Sequence, residues 1–182
     1  MKDPPTFFDR YQMPGFRITA ADACLAKDMV MFTYCGRGKR YFSYPETVSL
    51  VNFLNDSCPT AGDYRFYIPT DAEYRQIIAK YGHRDENCHS YHLASSLGFG
   101  FYGTIGTLIT LEEYNKNPQN FNYRQAIGYG VVGNYWCEGT DEHEGQVATM
   151  HLRAYGEPTF CYNILDGGAS IGCSVRLIGK RW

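Results

Sequence analysis

Fourteen of the nineteen glycines lie between Gly98 and Gly179, cutting that half of the chain into short runs of aromatic and β-branched residues. Runs so short leave no room for long helices; they read as short strands joined by turns. In QVATMHLRAYG, Ala148, Met150, Leu152 and Ala154 alternate with Thr149, His151, Arg153 and Tyr155. That is the period of a strand with one buried face. SVRLIG reads as a closing strand, and TFCYNIL as another.

Helices are expected only upstream and in one short segment. In YPETVSLVNFLNDSC, Pro45 stands at a first helical position, where its missing N–H costs nothing, and Val48, Val51 and Leu54 follow as an apolar stripe. In IPTDAEYRQIIAKYG, Thr70 and Glu73 form a capping box, and Asp71 and Glu73 complement the positive end of the helix. Tyr74, Ile77, Ile78 and Tyr81 share one face, and Gly82 sits where the helix should stop. A third short helix starts at Thr110 with Glu113 as its capping partner. MVMFTYCG is a strand ahead of the turn GRGKR, and residues 1–20, with Pro4, Pro5 and Pro14, form an extended arm with Phe7, Phe8, Tyr11 and Phe16 tucked onto the body. Two early helices and a later antiparallel β portion make an α+β fold, read as one domain over 1–182.

The chain of 182 residues is 44% hydrophobic and 20% charged, which is the balance of a folded protein. Its net charge of -2, with no Lys/Arg block, argues against nucleic acid or an anionic membrane as partner, because both demand concentrated positive charge. No apolar run reaches the roughly 18 residues that span a bilayer. The opening MKDPPTFFDRYQMPGF lacks an apolar signal segment, so the expectation is either a protein kept in the cytoplasm or one whose leader has been removed. Seven cysteines, an odd number with no C-x-x-C spacing, read mostly as small buried hydrophobes, with room for one or two bridges. The 16% aromatic content, dominated by 16 Tyr, suits either a stiffened loop-rich core or a recognition surface.

Three blocks carry a resemblance. The segment CPTAGDYRFYIPTDAEYRQI, beginning at Cys58, resembles the C-P-x-G-W-R-x-P-T-x-x-E-W block of the Fibrobacter succinogenes major paralogous domain. GNYWCEGT (133–140) is similar to that family's Y-W-S-S-T strand, and SIGCSVRLI (170–178) to its closing G-x-S-V-R segment. Order and spacing agree, over roughly residues 40 to 180. The departures are Phe66 or Tyr67 and Tyr74 in place of tryptophans, and Cys137 in place of a serine. The resemblance implies a C-type lectin-like fold, with two main helices packed on a short-stranded, mostly antiparallel twisted sheet with long loops. It places Tyr135 and Trp136 on a central strand, the Trp in the core.

A fold of this kind serves enzymes and binders alike, so chemistry must be read from sites. The formylglycine-generating enzymes that share the fold use paired cysteines near the C-terminus. Here the candidates are Cys161 and Cys173, which read better as a cross-strand bridge or as two buried thiols. No nucleophile elbow, zinc helix or phosphate loop is present. Glu157-Pro158-Thr159 lacks the carbonyl-bearing Asn of a calcium-dependent sugar site. Asp141, Glu142, His143 and Glu144 are consecutive, which splays their side chains and suits a solvated loop better than a metal shell. His89 and His92 form only a fragment of a metal site.

The remaining expectation is a non-catalytic ligand-binding surface needing no cofactor, with loops and outward strand faces displaying Glu138, Thr140, Glu142, His143, Arg153, Tyr155, Tyr162, Asn163 and Asp166. Its ligand would be a protein or glycan on a cell surface. The chain would act in adhesion on a gut bacterial surface or in a phage virion, with a diversity-generating-retroelement-type variable protein as one version. The rival readings are a structural module of a surface assembly and a copper-dependent oxidase of the formylglycine-generating type.

Overall fold

A computed structural model describes residues 17–20, 29–33, 39–56, 64–81, 99–154 and 156–181, and it shows an α+β fold. The arm residues 1–16, the Gly82 helix stop, His89, His92 and Tyr155 lie outside the described residues. One sheet has the order β1 (Arg17–Ala20), β2 (Met29–Thr33), β7 (Arg176–Arg181), β3 (Tyr64–Tyr67), every pair antiparallel. The end of the expected arm is therefore a strand, Arg17 pairing with Thr33. The second sheet is an antiparallel ribbon, β4 (Val132–Glu138), β5 (Val147–Arg153) and β6 (Thr159–Cys161).

Three α-helices stand among the described residues. Helix α1 (Tyr44–Asp56) begins with a capping box: the Glu46 amide donates to Ser43 Oγ at 3.1 Å, and the Glu46 carboxylate accepts from the Ser43 amide. Its buried stripe is Thr47, Leu50 and Leu54 rather than the expected Val48, Val51 and Leu54. Val48 is 37% exposed. Thr47 can take the inner position because its hydroxyl donates to the Ser43 carbonyl at 2.8 Å, leaving no unpaired polar atom there.

Helix α2 (Asp71–Tyr81) has the expected box, with Thr70 Oγ1 accepting from the Glu73 amide and the Glu73 carboxylate accepting from the Thr70 amide. Tyr74 and Ile77 are fully buried on its inner face. The short α3 (Leu111–Lys116) carries the Thr110–Glu113 box.

Strand β4 is buried on both sides. Tyr135 points into a cluster with Tyr74, Ile77, Phe99, Met150 and Leu152. Its neighbour Trp136, necessarily on the other face, joins Phe42, Leu50, Leu54, Phe66 and Leu177. Both are core residues, and Trp136 Nε1 donates to the Phe42 carbonyl at 2.6 Å. In β5, Ala148, Met150 and Leu152 are all fully buried, as the alternation implies, but Thr149 on the opposite face is buried too and Ala154 is only half-buried.

Tyrosine does much of the joining between these layers. The Tyr135 hydroxyl both donates to the Gly100 carbonyl and accepts from the Gly100 amide, each at 2.7 Å. The Tyr114 hydroxyl accepts from the amides of Arg40 and Tyr41. A phenol brings apolar area and a donor–acceptor to one place, so it can bury an irregular loop while satisfying its backbone.

Candidate functional site

At the Glu138 end of the ribbon, two loops and the start of α2 converge. The chain leaves β4, passes through a short turn at Asp141–His143 and re-enters at β5. Glu138 N donates to the Pro69 carbonyl at 3.0 Å, which ties this end of β4 to the entrance of α2. The turn closes on itself, Gly139 N donating to the Gln146 carbonyl and His143 N to the Thr140 carbonyl. A Cβ on Gly139 would lie 2.2 Å from the His143 carbonyl oxygen, so the loop's compactness depends on glycine there.

Asp71 is the hub of this end. Its side chain is almost wholly buried, and Oδ1 accepts from the Thr140 hydroxyl at 2.5 Å and from the Ala72 amide at 2.8 Å. Oδ2 accepts from the Tyr162 hydroxyl at 2.5 Å and pairs with Arg75 Nη1 at 3.1 Å. Arg75 Nη2 also donates to the Tyr162 hydroxyl at 2.9 Å, and its guanidinium lies over the Phe160 ring. Burial pushes the Asp71 carboxyl up, but the hydrogen bonds from Thr140, Tyr162, Arg75 and Ala72 together outweigh it, and its pKa lies below the ordinary aspartate value. The same carboxylate, behind the cost of burial, pushes the Tyr162 hydroxyl up.

Tyr162 is held by its hydroxyl and presents its ring to His143, the two planes only 7° apart and the centroids 3.6 Å apart. Above this clamp, Asp141, Glu142 and Glu144 face solvent, with the Glu142 side chain 88% exposed. Glu138 accepts from the Tyr44 hydroxyl at 2.8 Å. Asn163 and Asp166 are exposed, each in the left-handed region (φ 56° and 54°). The turn at Leu165–Gly168 is seated by Gly168, where a Cβ would come within 2.6 Å of Trp136.

Of the nine expected site residues, Glu138, Thr140, Glu142, His143 and Tyr162 share this end of the ribbon, with Asn163 following directly on Tyr162. Arg153 does not belong with them. The register pairs Glu138 with Val147 and Val132 with Arg153, so Arg153 stands at the opposite end of the strands, about 20 Å away at ~3.3 Å per residue. His151 is half-buried and bonded through Nδ1 to Asn134 Oδ1 at 2.8 Å, so the face of β5 is not a continuous binding strip running down from the loop.

Three contributors to the clamp, Asp71, Arg75 and Phe160, escape a reading by sequence. Asp71 reads as a helix-dipole residue because its position in a first turn explains it fully; its partners Thr140 and Tyr162 are 69 and 91 residues away. The D-E-H-E cluster is solvated at Asp141, Glu142 and Glu144, as a loop reading expects, while Thr140 and His143 are half-buried beneath them.

Cys161 and Cys173 are both free, the first exposed on β6 and the second buried in the core, so they are neither a bridge nor two buried thiols. Burial pushes the Cys173 thiol far up and the Cys137 thiol up to about 12, which keeps both protonated. Among the described residues, no three His, Cys, Asp or Glu side chains are grouped to hold a metal ion. No helix among them is long and apolar enough to cross a membrane. Comparison with known proteins finds no matching family model, no matching curated protein and no matching solved structure, so the meaning of this site rests on its own geometry.

Proposed function

We propose that the chain is a non-catalytic, C-type lectin-like ligand-binding domain that takes part in attachment at a bacterial surface or in a phage virion. Its partner is a protein or glycan on a cell surface, met by the loops around 139–146 and 162–168. The single observation that supports this reading most is the clamp: Asp71, Arg75 and Tyr162 hold Thr140 and His143 from beneath, while Glu142 and its neighbours stand exposed above. A rigid base under exposed polar side chains lowers the ordering cost of association, which is what a recognition loop requires. The sequence blocks that resemble the Fibrobacter succinogenes major paralogous domain support the same reading.

The test is a binding screen of the full chain against a glycan array and intact gut bacterial cells, in calcium and in EDTA. Binding that persists in EDTA and falls at least tenfold in Glu142→Ala and Tyr162→Ala is the expected result. Binding lost in EDTA, or indifferent to both substitutions, overturns the reading.

A further inference from the structure

The opposite end of the ribbon holds a second constellation, separate from the loops just described. The loop after α3 places Tyr123, Ile127, Tyr129 and Val131 at the surface with 36%, 45%, 44% and 49% of their areas exposed. This is a patch of large apolar side chains confined to nine residues of sequence, more concentrated than scattered surface hydrophobes. It is also ordered from within. The Tyr123 and Tyr129 rings stack at 5.2 Å between centroids with planes 24° apart. The Arg40 guanidinium lies 3.8 Å from the Tyr102 ring centre and 5.4 Å from that of Tyr123. Tyr102, Arg40, Tyr123 and Tyr129 thus follow one another as a stair of flat groups.

The backbone under this stair is fixed. Ile127 and Thr104 exchange amide–carbonyl bonds of 2.9 and 3.0 Å, and Gly130 N donates to the Phe101 carbonyl at 2.7 Å. A Cβ on Gly103 would meet the Ile127 carbonyl at 2.3 Å, so the two segments touch as closely as backbones can. The Arg40 amide is itself anchored on the Tyr114 hydroxyl at 2.7 Å. Ala154 N donates to the Val131 carbonyl, which brings the exposed Arg153 to the same rim.

Arg40 is the telling member. It is half-buried, and no carboxylate among the described residues pairs with its guanidinium. Its guanidinium carbon lies over the Tyr102 ring, 3.8 Å from the centre, and its planar N–H fork fits a carboxylate with two parallel hydrogen bonds. A single preorganised guanidinium beside flat, exposed phenol rings calls for a ligand with one anionic group on a compact ring that has an apolar face and hydroxyls. A polynucleotide fits poorly, because it needs a track of cations and this chain has a net charge of -2.

We propose that Arg40, Tyr102, Tyr123 and Tyr129 form a binding site for a carboxylated sugar unit of a glycan, the carboxylate on the Arg40 fork and the ring on the tyrosine stair. The site is independent of the 139–146 loop and stands or falls without it.

The test titrates the full chain with trigalacturonate, its methyl-esterified neutral form, 3′-sialyllactose, lactose and a short single-stranded oligonucleotide, read by calorimetry and by aromatic NMR shifts. The expected result is binding to one or both carboxylated sugars, with the preferred arm identifying a uronate or a sialate. Neutral forms should bind at least tenfold more weakly. Arg40→Lys keeps the charge but loses the fork and should weaken binding at least tenfold. Tyr129→Ala, at an exposed position that leaves the core intact, should weaken it about tenfold with an unchanged thermal midpoint. Glu142→Ala at the far end should change nothing. Absence of binding to both acids, equal binding of ester and acid, tighter binding of the oligonucleotide, or full affinity in both Arg40→Lys and Tyr129→Ala each overturns the proposal.

Discussion

The Tyr162 hydroxyl donates to the buried Asp71 carboxylate across 91 residues of chain, and that contact joins the first turn of α2 to the loop after β6. Because Thr140 donates to the other oxygen of the same carboxylate, one side chain fixes the positions of two loops. Thermodynamically it is a charged acceptor with every strong donor supplied by the protein rather than by water.

Asp71→Asn should therefore destabilise the fold by about 1–3 kcal/mol at neutral pH, since one amide cannot accept from Thr140, Tyr162 and Arg75 together. The sign of the pH dependence follows from the lowered folded pKa. The carboxylate contributes stability above its unfolded pKa of about 3.9, and that stability disappears as pH falls through the lower folded value. The gap between the parent chain and Asp71→Asn in urea unfolding should be constant from pH 7 to 5 and close on acidification below about pH 4. A gap that does not narrow at all as pH falls below 4 would mean that Asp71 acts by shape alone.

The second prediction separates space from backbone strain in one loop. Gly139→Ala drives a methyl group against the His143 carbonyl and Cβ, at 2.2 and 2.8 Å, and should cost about 1–3 kcal/mol while lifting His143 off Tyr162. Gly145→Ala, with φ +79° and nothing within 4 Å, meets only the left-handed penalty of about 1–2 kcal/mol. In NMR spectra the His143 ring protons, shielded by the stacked phenol, should move downfield in Gly139→Ala and stay in place in Gly145→Ala.

These cases show which features could be read in the sequence. The Thr70–Glu73 and Thr110–Glu113 boxes are local, each completed within four residues, so side-chain type and spacing are enough. The buried face of α1 is misjudged at Val48 because hydropathy ranks Val above Thr, whereas Thr47 buries at no polar cost by bonding Ser43. Strand β4 shows no alternation because it is sandwiched between two clusters, with adjacent Tyr135 and Trp136 both in core. The distance of Arg153 from the loop is hidden for a different reason: period two gives the face of a strand but not which end lies near a loop, and only the register with β4 does that. Beyond the local Asp71–Arg75 pair, the Asp71 and Arg40 constellations are long-range, so no local pattern carries Thr140, Tyr162 or Tyr102 to them.

Thiol reactivity provides a third prediction. Cys161 is exposed on β6, whereas Cys137 and Cys173 are buried and their thiols are pushed up by desolvation, so neither the accessible nor the ionised form is on offer in the folded state. Brief alkylation of the native chain, followed by peptide mass spectrometry, should modify Cys161 at least a hundredfold faster than Cys137 or Cys173. In urea above the unfolding midpoint the three rates should converge. Rapid native labelling of Cys137 would show that the core around β4 opens readily.

Lys39 gives the fourth. Its side chain is fully buried, its ammonium 2.9 Å from Glu46 Oε2, with Asn115 Oδ1 also accepting from it and the Phe42 and Tyr114 rings alongside. Desolvation is the largest influence and lowers its pKa to about 8, against the opposing pull of Glu46. A lysine whose folded pKa is depressed binds its proton less well folded than unfolded. Between about pH 8 and the unfolded value near 10.4, the unfolded chain holds more protons, and this residue's contribution to stability must rise with pH. The buried thiols act in the opposite direction above about pH 8.5, since they stay protonated when folded and ionise when unfolded. Absolute stability therefore mixes two signs, and the informative quantity is the difference from Lys39→Met, which keeps the volume and removes the titration. That difference should shift in favour of the parent chain by about 1–2 kcal/mol from pH 7.5 to 9.5 in guanidinium unfolding, short of the ~1.4 kcal/mol per pH unit limit of a single site. A flat difference over that range would show that the Glu46 ion pair holds Lys39 protonated despite its burial.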